Sequence, residues 1–170
     1  MARTLTEDEI YREFEQRGVT VEKLEHPAVF TVEESAAIHE ALPGAHTKNL
    51  FLKDRNGHFW LIVLPSGRRA DLKAFAQVLG AGKFSFGKPD DMERMLGVTP
   101  GAVTPLAVVN AAPESVSLVF DEDFKNEEQI AVHPLRNTAT IAVPFYDLIS
   151  WLGEKGHASR IVDLPDPVVA

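Results

Sequence analysis

Residues 50–64 constrain the fold of this chain more than any other stretch. Leu50–Lys53 and His58–Leu64 flank Asp54, Arg55, Asn56 and Gly57, a quartet of turn-forming residues. Two short apolar runs around such a turn read as a β-hairpin. The second run is apolar at every position from Phe59 to Leu64, not at alternate ones. A strand with that pattern is buried on both faces. The chain is therefore expected to be organised around a sheet.

Helix signals surround it. Thr6 and Glu9 form a capping-box pair ahead of Ile10 and Phe14, with Gly18 as the stop. Val19 to Glu25 alternates as a strand does. Thr31 and Glu34 form a second box and open a helix to about Ala41. Asp71 or its neighbour caps a helix through Leu79, ended by Gly80, and Pro89 starts a short one stopped by Gly97. From Val103 onward the pattern predicts strands at 106–109, 116–120, 129–132 and 138–143. A last helix follows from Phe145 to Leu152, with Pro144 at its start and Gly153 as its stop. Leu164 to Pro167 reads as a frayed tail. Helices interspersed with hairpin-like strands imply an α+β fold with a mixed, curved sheet. No internal repeat or long linker divides the 170 residues, so one domain is expected.

Composition removes several kinds of chemistry. With no cysteine there is no disulfide, thiol nucleophile or thiolate metal site. No apolar run approaches the eighteen residues of a membrane span, and the first residues run into acidic helix signals instead of a signal-peptide core. A cytoplasmic protein is expected. Ser66 lies in a Pro-Ser-Gly turn without a credible triad. Gly80 to Lys83 resembles the end of a phosphate-binding loop, but Gln77 stands where the opening glycine belongs and Phe84 where the hydroxyl does. The six histidines contain no pair at metal-binding helical spacing. Neither a metal nor a cofactor is expected, and catalysis must rest on positioning, backbone donors and water.

The net charge of −8 conceals a pattern. Residues 1–45 carry 4 basic and 10 acidic side chains, residues 46–94 carry 9 and 5, and residues 95–170 carry 4 and 10. A basic middle suits a few phosphates while acidic flanks oppose indiscriminate binding to nucleic acid. No helix carries a basic recognition face, which argues against specific DNA binding.

Three features remain as candidate chemistry. Lys48 and Asn49 fall where a loop is expected to become a strand. A lysine ammonium can hold a phosphate or a developing oxyanion, and an asparagine can donate to and accept from a sugar or carbonyl. The alternative is a solvated lysine beside a turn asparagine. Gly101 to Pro105 is a glycine turn closed by proline, suited either to backbone grip on an ester or to a tight connection. His133, before Pro134, ends a strand and serves either as a structural or as a catalytic imidazole.

In order along the chain, His26–Ser35, Thr47–Phe51, Ala70–Lys73, Phe84–Phe86, Gly101–Leu106, Val132–Pro134 and Asn137–Thr140 resemble the motifs of the YbaK/prolyl-tRNA synthetase-associated editing domains. The match spans residues 20–152. The resemblance implies a mixed, partly barrel-like sheet flanked by helices, and hydrolysis of amino acids wrongly esterified to tRNA. The Lys-Asn-Leu-Phe and Val-His-Pro patterns look most like the free-standing branch that removes alanine from tRNA(Pro). By that resemblance Lys48 is the functional lysine and His133 acts with it. Gly101, Ala102 and Pro105 line the pocket, and Thr31 and Asn49 contact substrate. The implied partner is the acceptor end of an aminoacylated tRNA, with prolyl-tRNA synthetase as a candidate second one. Water is expected to attack with help from the tRNA's own ribose hydroxyl and no covalent intermediate. A deacylase for serine, threonine or cysteine, or a non-catalytic tRNA- or synthetase-binding module, are the competing readings.

Overall fold

Thr6 opens helix α1 (Glu7–Gln16) reciprocally: its hydroxyl accepts from the Glu9 amide and the Glu9 carboxylate accepts from the Thr6 amide, both at 3.2 Å. The computed structural model in which this is seen describes residues 5–28, 32–42 and 44–167. The buried face of α1 is Ile10 and Phe14, and the Phe14 ring meets Trp151 edge-on at 5.0 Å. Strand β1 (Glu22–Glu25) is shorter than the alternation from Val19 suggests. Helix α2 (Val32–Ala41) lies where predicted, and its expected cap, Thr31, is outside the described residues.

Strands β2 (Ala45–Lys53) and β3 (Phe59–Pro65) form the hairpin, paired antiparallel from Thr47 opposite Pro65 to Lys53 opposite Phe59. Its turn is held by Asp54, whose carboxylate accepts from the amides of Asn56 and His58 and from the Trp60 indole. The reason β3 is apolar throughout is now visible. Phe59, Leu61 and Val63 pack into one core with Phe51, Leu106 and Phe120, while Trp60, Ile62 and Leu64 pack into a second with Phe75 and Leu79. Each fully buried side chain of this kind contributes about 1.5–3 kcal/mol. The second core is closed by helix α3 (Leu72–Leu79), capped by the Asp71 carboxylate on the Ala74 amide and stopped at Gly80 with φ +69°.

Two-residue strand β4 (Ser85–Phe86) pairs with the end of β2, and helix α4 (Pro89–Leu96) follows. The predicted strand at 106–109 is instead a 3-10 helix, Pro105–Asn110, preceded by a 3-10 turn at Pro100–Ala102. Thr104 caps it by accepting from the Leu106 amide, and Pro105 presets φ at its first position. Because Leu106, Ala107 and Val108 are all buried, the run lacks the polar face that would have marked it as helical.

Strand β5 (Val116–Asp121), β6 (Gln129–Val132), β7 (Ala139–Pro144) and helix α5 (Phe145–Glu154) match expectation, except that α5 runs through Gly153. Strand β8 (Ser159–Val162) had no sequence signal. The sheet runs β1-β7-β6-β2-β3-β5-β8 with β4 on β2, mixing parallel pairs (β2–β6, β3–β5, β5–β8) with antiparallel ones. The α+β expectation with a mixed, curved sheet holds.

The tail is not frayed at Leu164, which is 1% exposed. Its amide donates to Asp121 at 3.1 Å and its carbonyl accepts from Arg68 at 2.5 Å. Arg68 also pairs with Asp121 at 3.0 Å and with Asp166 at 2.8 Å, tying the chain end to β5.

Candidate active site

β2 changes partners along one edge, and the candidate residues fall in the gap. Ala45 and His46 pair with β6, Leu52 and Lys53 pair with β4, and among the described residues no strand lies on that edge between them. Lys48 and Asn49 therefore sit three and four residues inside a strand, not at the loop boundary the sequence suggests. They are half-buried, unlike the fully buried Phe51 and Leu52 further along.

Beside this gap is a cleft of about 470 Å³. One wall is the outer face of β6 and β7, with Ala131, His133 and Thr140; another is α2, with Ser35 and His39. His46, Thr47 and the Ser66–Gly67 turn close it.

Of the predicted residues, His133 lines this cleft directly. The Lys48 ammonium donates to the Arg68 carbonyl at 3.2 Å, one residue past Gly67 and so at the cleft's margin. The Asn49 amide donates to the Thr47 hydroxyl at 3.3 Å, and that hydroxyl donates to the Ala131 carbonyl at 2.8 Å. Asn49 Oδ1 is buried with no partner among the described residues. A buried acceptor left this way costs about 1–3 kcal/mol, which a donor arriving with a ligand would relieve. Gly101 is set against the β6–β7 turn: a Cβ there would come within 2.9 Å of the Asn137 side chain. The Ala102 amide already donates to the Thr99 carbonyl at 2.9 Å, and Pro105 is buried at the start of its 3-10 helix. The structure thus brings His133 into the cleft, puts Lys48 and Asn49 at its edge, and places the glycine–proline loop on the turn that leads out of His133. Thr31 lies outside the described residues.

The cleft also gathers Ser35, His39, His46 and Thr140, which the sequence reading did not single out, and Ser66, which it set aside as a nucleophile. Thr140 was visible only as part of a quoted motif. The His39 and His46 rings are 4.1 Å apart and His26 and His133 6.3 Å apart. Among the described residues no three His, Asp or Glu side chains form a group that could hold a metal ion.

Hydrogen-bond partners define the imidazoles. His133 Nδ1 donates to the Ala139 carbonyl at 2.8 Å, leaving Nε2 as an open acceptor. His46 Nε2 donates to the Leu42 carbonyl at 3.1 Å. Burial pushes the pKa of His133 below its ordinary 6.5, and the neighbouring His26 adds to this. Burial does the same for His46, with His39 and His133 as like-charged neighbours, and for His157.

These depressed values carry a stability consequence. Below about pH 6.5 the unfolded chain takes up protons that the folded chain does not, so stability falls as acid is added. Denaturant melts at pH 7.5 and 5.5 should show a lower midpoint at 5.5. A midpoint that rises on acidification would show that the buried imidazoles do not govern this range.

The basic middle segment divides in two. Arg68 is committed to Asp121, Asp123 and Asp166 and is not a free phosphate contact. Arg55 and Lys73 instead join Lys83 around a second cleft of about 710 Å³, beside Gly82. No helix of the described residues is long and apolar enough to cross a membrane.

An α+β protein with a curved mixed sheet and a histidine-lined cleft is what fold and site define together. Residues 26–150 match the aminoacyl-tRNA editing domain model, and the chain belongs to that family. It is 33% identical over 142 residues to the prolyl-tRNA editing protein ProX of Acetoanaerobium sticklandii, covering 83% of this chain and 87% of that one. It is 35% identical over 151 residues to prolyl-tRNA synthetase associated domain-containing protein 1 of Bos taurus, covering 86% and 88%. A crystal structure proposed to be a trans-editing enzyme for prolyl tRNA synthetase superposes with a TM-score of 0.72 at 20% identity, over 98% of this chain and all of that one. The chain is an editing enzyme, a deacylase of mischarged aminoacyl-tRNA.

Proposed function

We propose that this enzyme acts in trans on tRNA(Pro) bearing alanine. The observation that carries the reading is the cleft: a hollow at the split in the sheet, with a neutral imidazole presenting an open Nε2. Its volume is in the usual range for small-molecule sites, about 300–1,000 Å³. The two relatives described above are named for prolyl-tRNA editing and for association with prolyl-tRNA synthetase, which supports proline tRNA as the carrier. A synthetic site that accepts proline also admits smaller alanine, since lost methylenes change binding by only about 1–3 kcal/mol. A second site that excludes proline corrects the error.

In this reading Lys48 turns from the Arg68 carbonyl to the terminal nucleotide's phosphate or ribose. Asn49 Oδ1 accepts from a ribose hydroxyl, and Thr31 contacts the same end. The Gly101 amide approaches the aminoacyl carbonyl, while Ala102 and Pro105 hold that loop's shape. His133 Nε2 accepts a proton or hydrogen bond at the reacting centre, and water attacks with help from the ribose hydroxyl. No protein nucleophile is required, because the ester is already activated and orientation with charge stabilisation supplies the acceleration. Hydrolysis assays on alanyl-, seryl-, cysteinyl- and threonyl-tRNA(Pro) test the acyl group. Fastest release of alanine supports it; a preference for another residue reassigns the substrate.

In the same reading Arg55, Lys73 and Lys83, which surround the second cleft, contact acceptor-stem phosphates. Binding should weaken with salt, and Arg55→Ala or Lys73→Ala should each reduce the slope of log affinity against log salt by about 1. Titrations at several ionic strengths with unchanged slopes would remove these residues from the interface. The cytoplasm, where charged tRNA is used, is the proposed location, and prolyl-tRNA synthetase the proposed protein partner.

A further inference from the structure

Phe86 is the most exposed large apolar side chain among the described residues, at 62%. It lies on β4, which pairs with the end of β2: Leu52 stands opposite Phe86 and Lys53 opposite Ser85. The backbone beneath the ring is held on both sides. The Ser85 hydroxyl donates to the Lys53 carbonyl at 3.4 Å, and the Gly87 amide donates to the Phe51 carbonyl at 2.8 Å. Only glycine permits that approach, since a Cβ at position 87 would collide with the Phe51 ring. A fixed edge position thus presents an aromatic ring that stability does not use. Phe84, two residues earlier, is buried in the core with Leu52, whereas Phe86 packs into none of the buried clusters.

The surroundings of the ring are cationic. Lys53, Lys83 and Lys88 are exposed, the first across the ladder and the other two flanking β4 in the chain. Among the described residues the lysine ion pairs are Lys23–Glu7 and Lys155–Glu13, so these three ammonium groups are free of carboxylates. Residues directly opposite on paired strands share a face, as do residues four apart on one strand. Phe86, Leu52 and Lys48 therefore lie on one side of the sheet. Lys48 and Leu52 are separated by about 13 Å along β2 at the usual rise of a strand. Between them runs the edge of β2 that no described strand covers.

We propose that Phe86 is a stacking platform for the first unpaired nucleotide of the tRNA's 3′ end. The inference rests on the deacylase reading above and extends it to how the single-stranded end is threaded toward Lys48. An aromatic face among cations suits an unpaired nucleotide, with ring against base and ammonium against phosphate. At about 3.4 Å per stacked nucleotide, about four nucleotides cover the distance from Phe86 to Lys48, which is the length of a tRNA's unpaired end. A base inside the acceptor helix has both faces covered by its neighbours, so the ring meets the junction where the helix stops. Every base has a π-face, and the contact is therefore tolerant of sequence. A protein partner fits less well, because one ring among free lysines is a small apolar patch and interface cores are depleted of lysine. Phe86 is a substrate-binding residue in this account, remote from the reacting ester.

The test is a double-mutant cycle between protein and RNA, read as kcat/KM on alanyl-tRNA(Pro). Phe86→Ala should lower kcat/KM about 5- to 100-fold, the scale of one base–aromatic stack. An abasic nucleotide at the first unpaired position should cause a similar loss with the unmodified protein. Combining the two changes should lose no more than about threefold beyond either alone, because both remove the same contact. Phe86→Tyr should keep the rate, while Phe86→Leu, apolar but not aromatic, should not. Thermal melts of the three variants should match the wild type, since the ring packs into no buried cluster. Losses that multiply in the cycle, no loss on the abasic RNA, or a leucine variant as active as wild type would overturn the stacking contact while leaving the deacylase intact. Wild-type protein that releases no alanine would instead bring down the functional reading itself, and this inference with it.

Discussion

Lys48→Ala should lower kcat/KM for alanyl-tRNA(Pro) by about 100-fold or more, the loss expected when one charged donor is removed from a charge-stabilising site. The fold should hardly notice. Lys48 is half-buried and, among the described residues, its ammonium makes one hydrogen bond, to the Arg68 carbonyl. That carbonyl lies on a turn already secured by Ser66 donating to the His46 carbonyl at 2.9 Å. Removing the amine therefore leaves no buried charge behind. Single-turnover deacylation alongside a thermal melt separates the two effects. A folded variant with wild-type turnover would remove Lys48 from the chemistry. Lys48→Arg keeps the charge but exchanges a compact ammonium for a planar fork, and should recover only part of the rate.

Asp121→Ala should be the most destabilising of the substitutions considered. Asp121 is 0% exposed at the end of β5 and accepts from Arg68, from the Leu164 amide and from the Asp123 amide. Burial opposes the Arg68 charge, but Asp121 and then Asp166 raise its pKa against that penalty. Deleting the buried carboxylate leaves the guanidinium without its inner partner and releases the chain end. Breaking a buried pair in this way costs about 3–5 kcal/mol. For a chain of this length that corresponds to a fall in Tm of about 10 °C. Asp166→Ala removes only an exposed partner and should cost about 1 kcal/mol or less. Calorimetry on the two variants checks the contrast; equal effects would mean that the inner and outer partners are interchangeable.

How far the sequence revealed this structure depended on whether a signal was local. The capping pair Thr6–Glu9, the Asp71 cap and the Asp54–Gly57 turn rest on contacts between residues a few positions apart, and each element formed where its residues predict. The apolar run after Thr104 failed because burial on all sides erased the periodicity that separates helix from strand. The Thr-Pro pair that caps it was present in the sequence and is the better guide. β8 and Leu164 were invisible for the opposite reason. They are held by β5, Asp121 and Arg68, partners about 40 to 100 residues away.

The candidate site divides along the same line. Lys48, Asn49, Gly101 and His133 could be named from motif resemblance, yet nothing in the sequence placed His133 opposite Thr140. That relation comes from the register of β6 on β7. Nor could composition show that Arg68, the central cation of the basic segment, is consumed by three aspartates.

One assay bears most directly on the whole account: alanyl-tRNA(Pro) and prolyl-tRNA(Pro), each labelled in the amino acid, incubated with the unmodified protein under single-turnover conditions. The account predicts prompt release of alanine and sparing of proline. Release of both at similar rates, or of neither while the tRNA is bound, would contradict it.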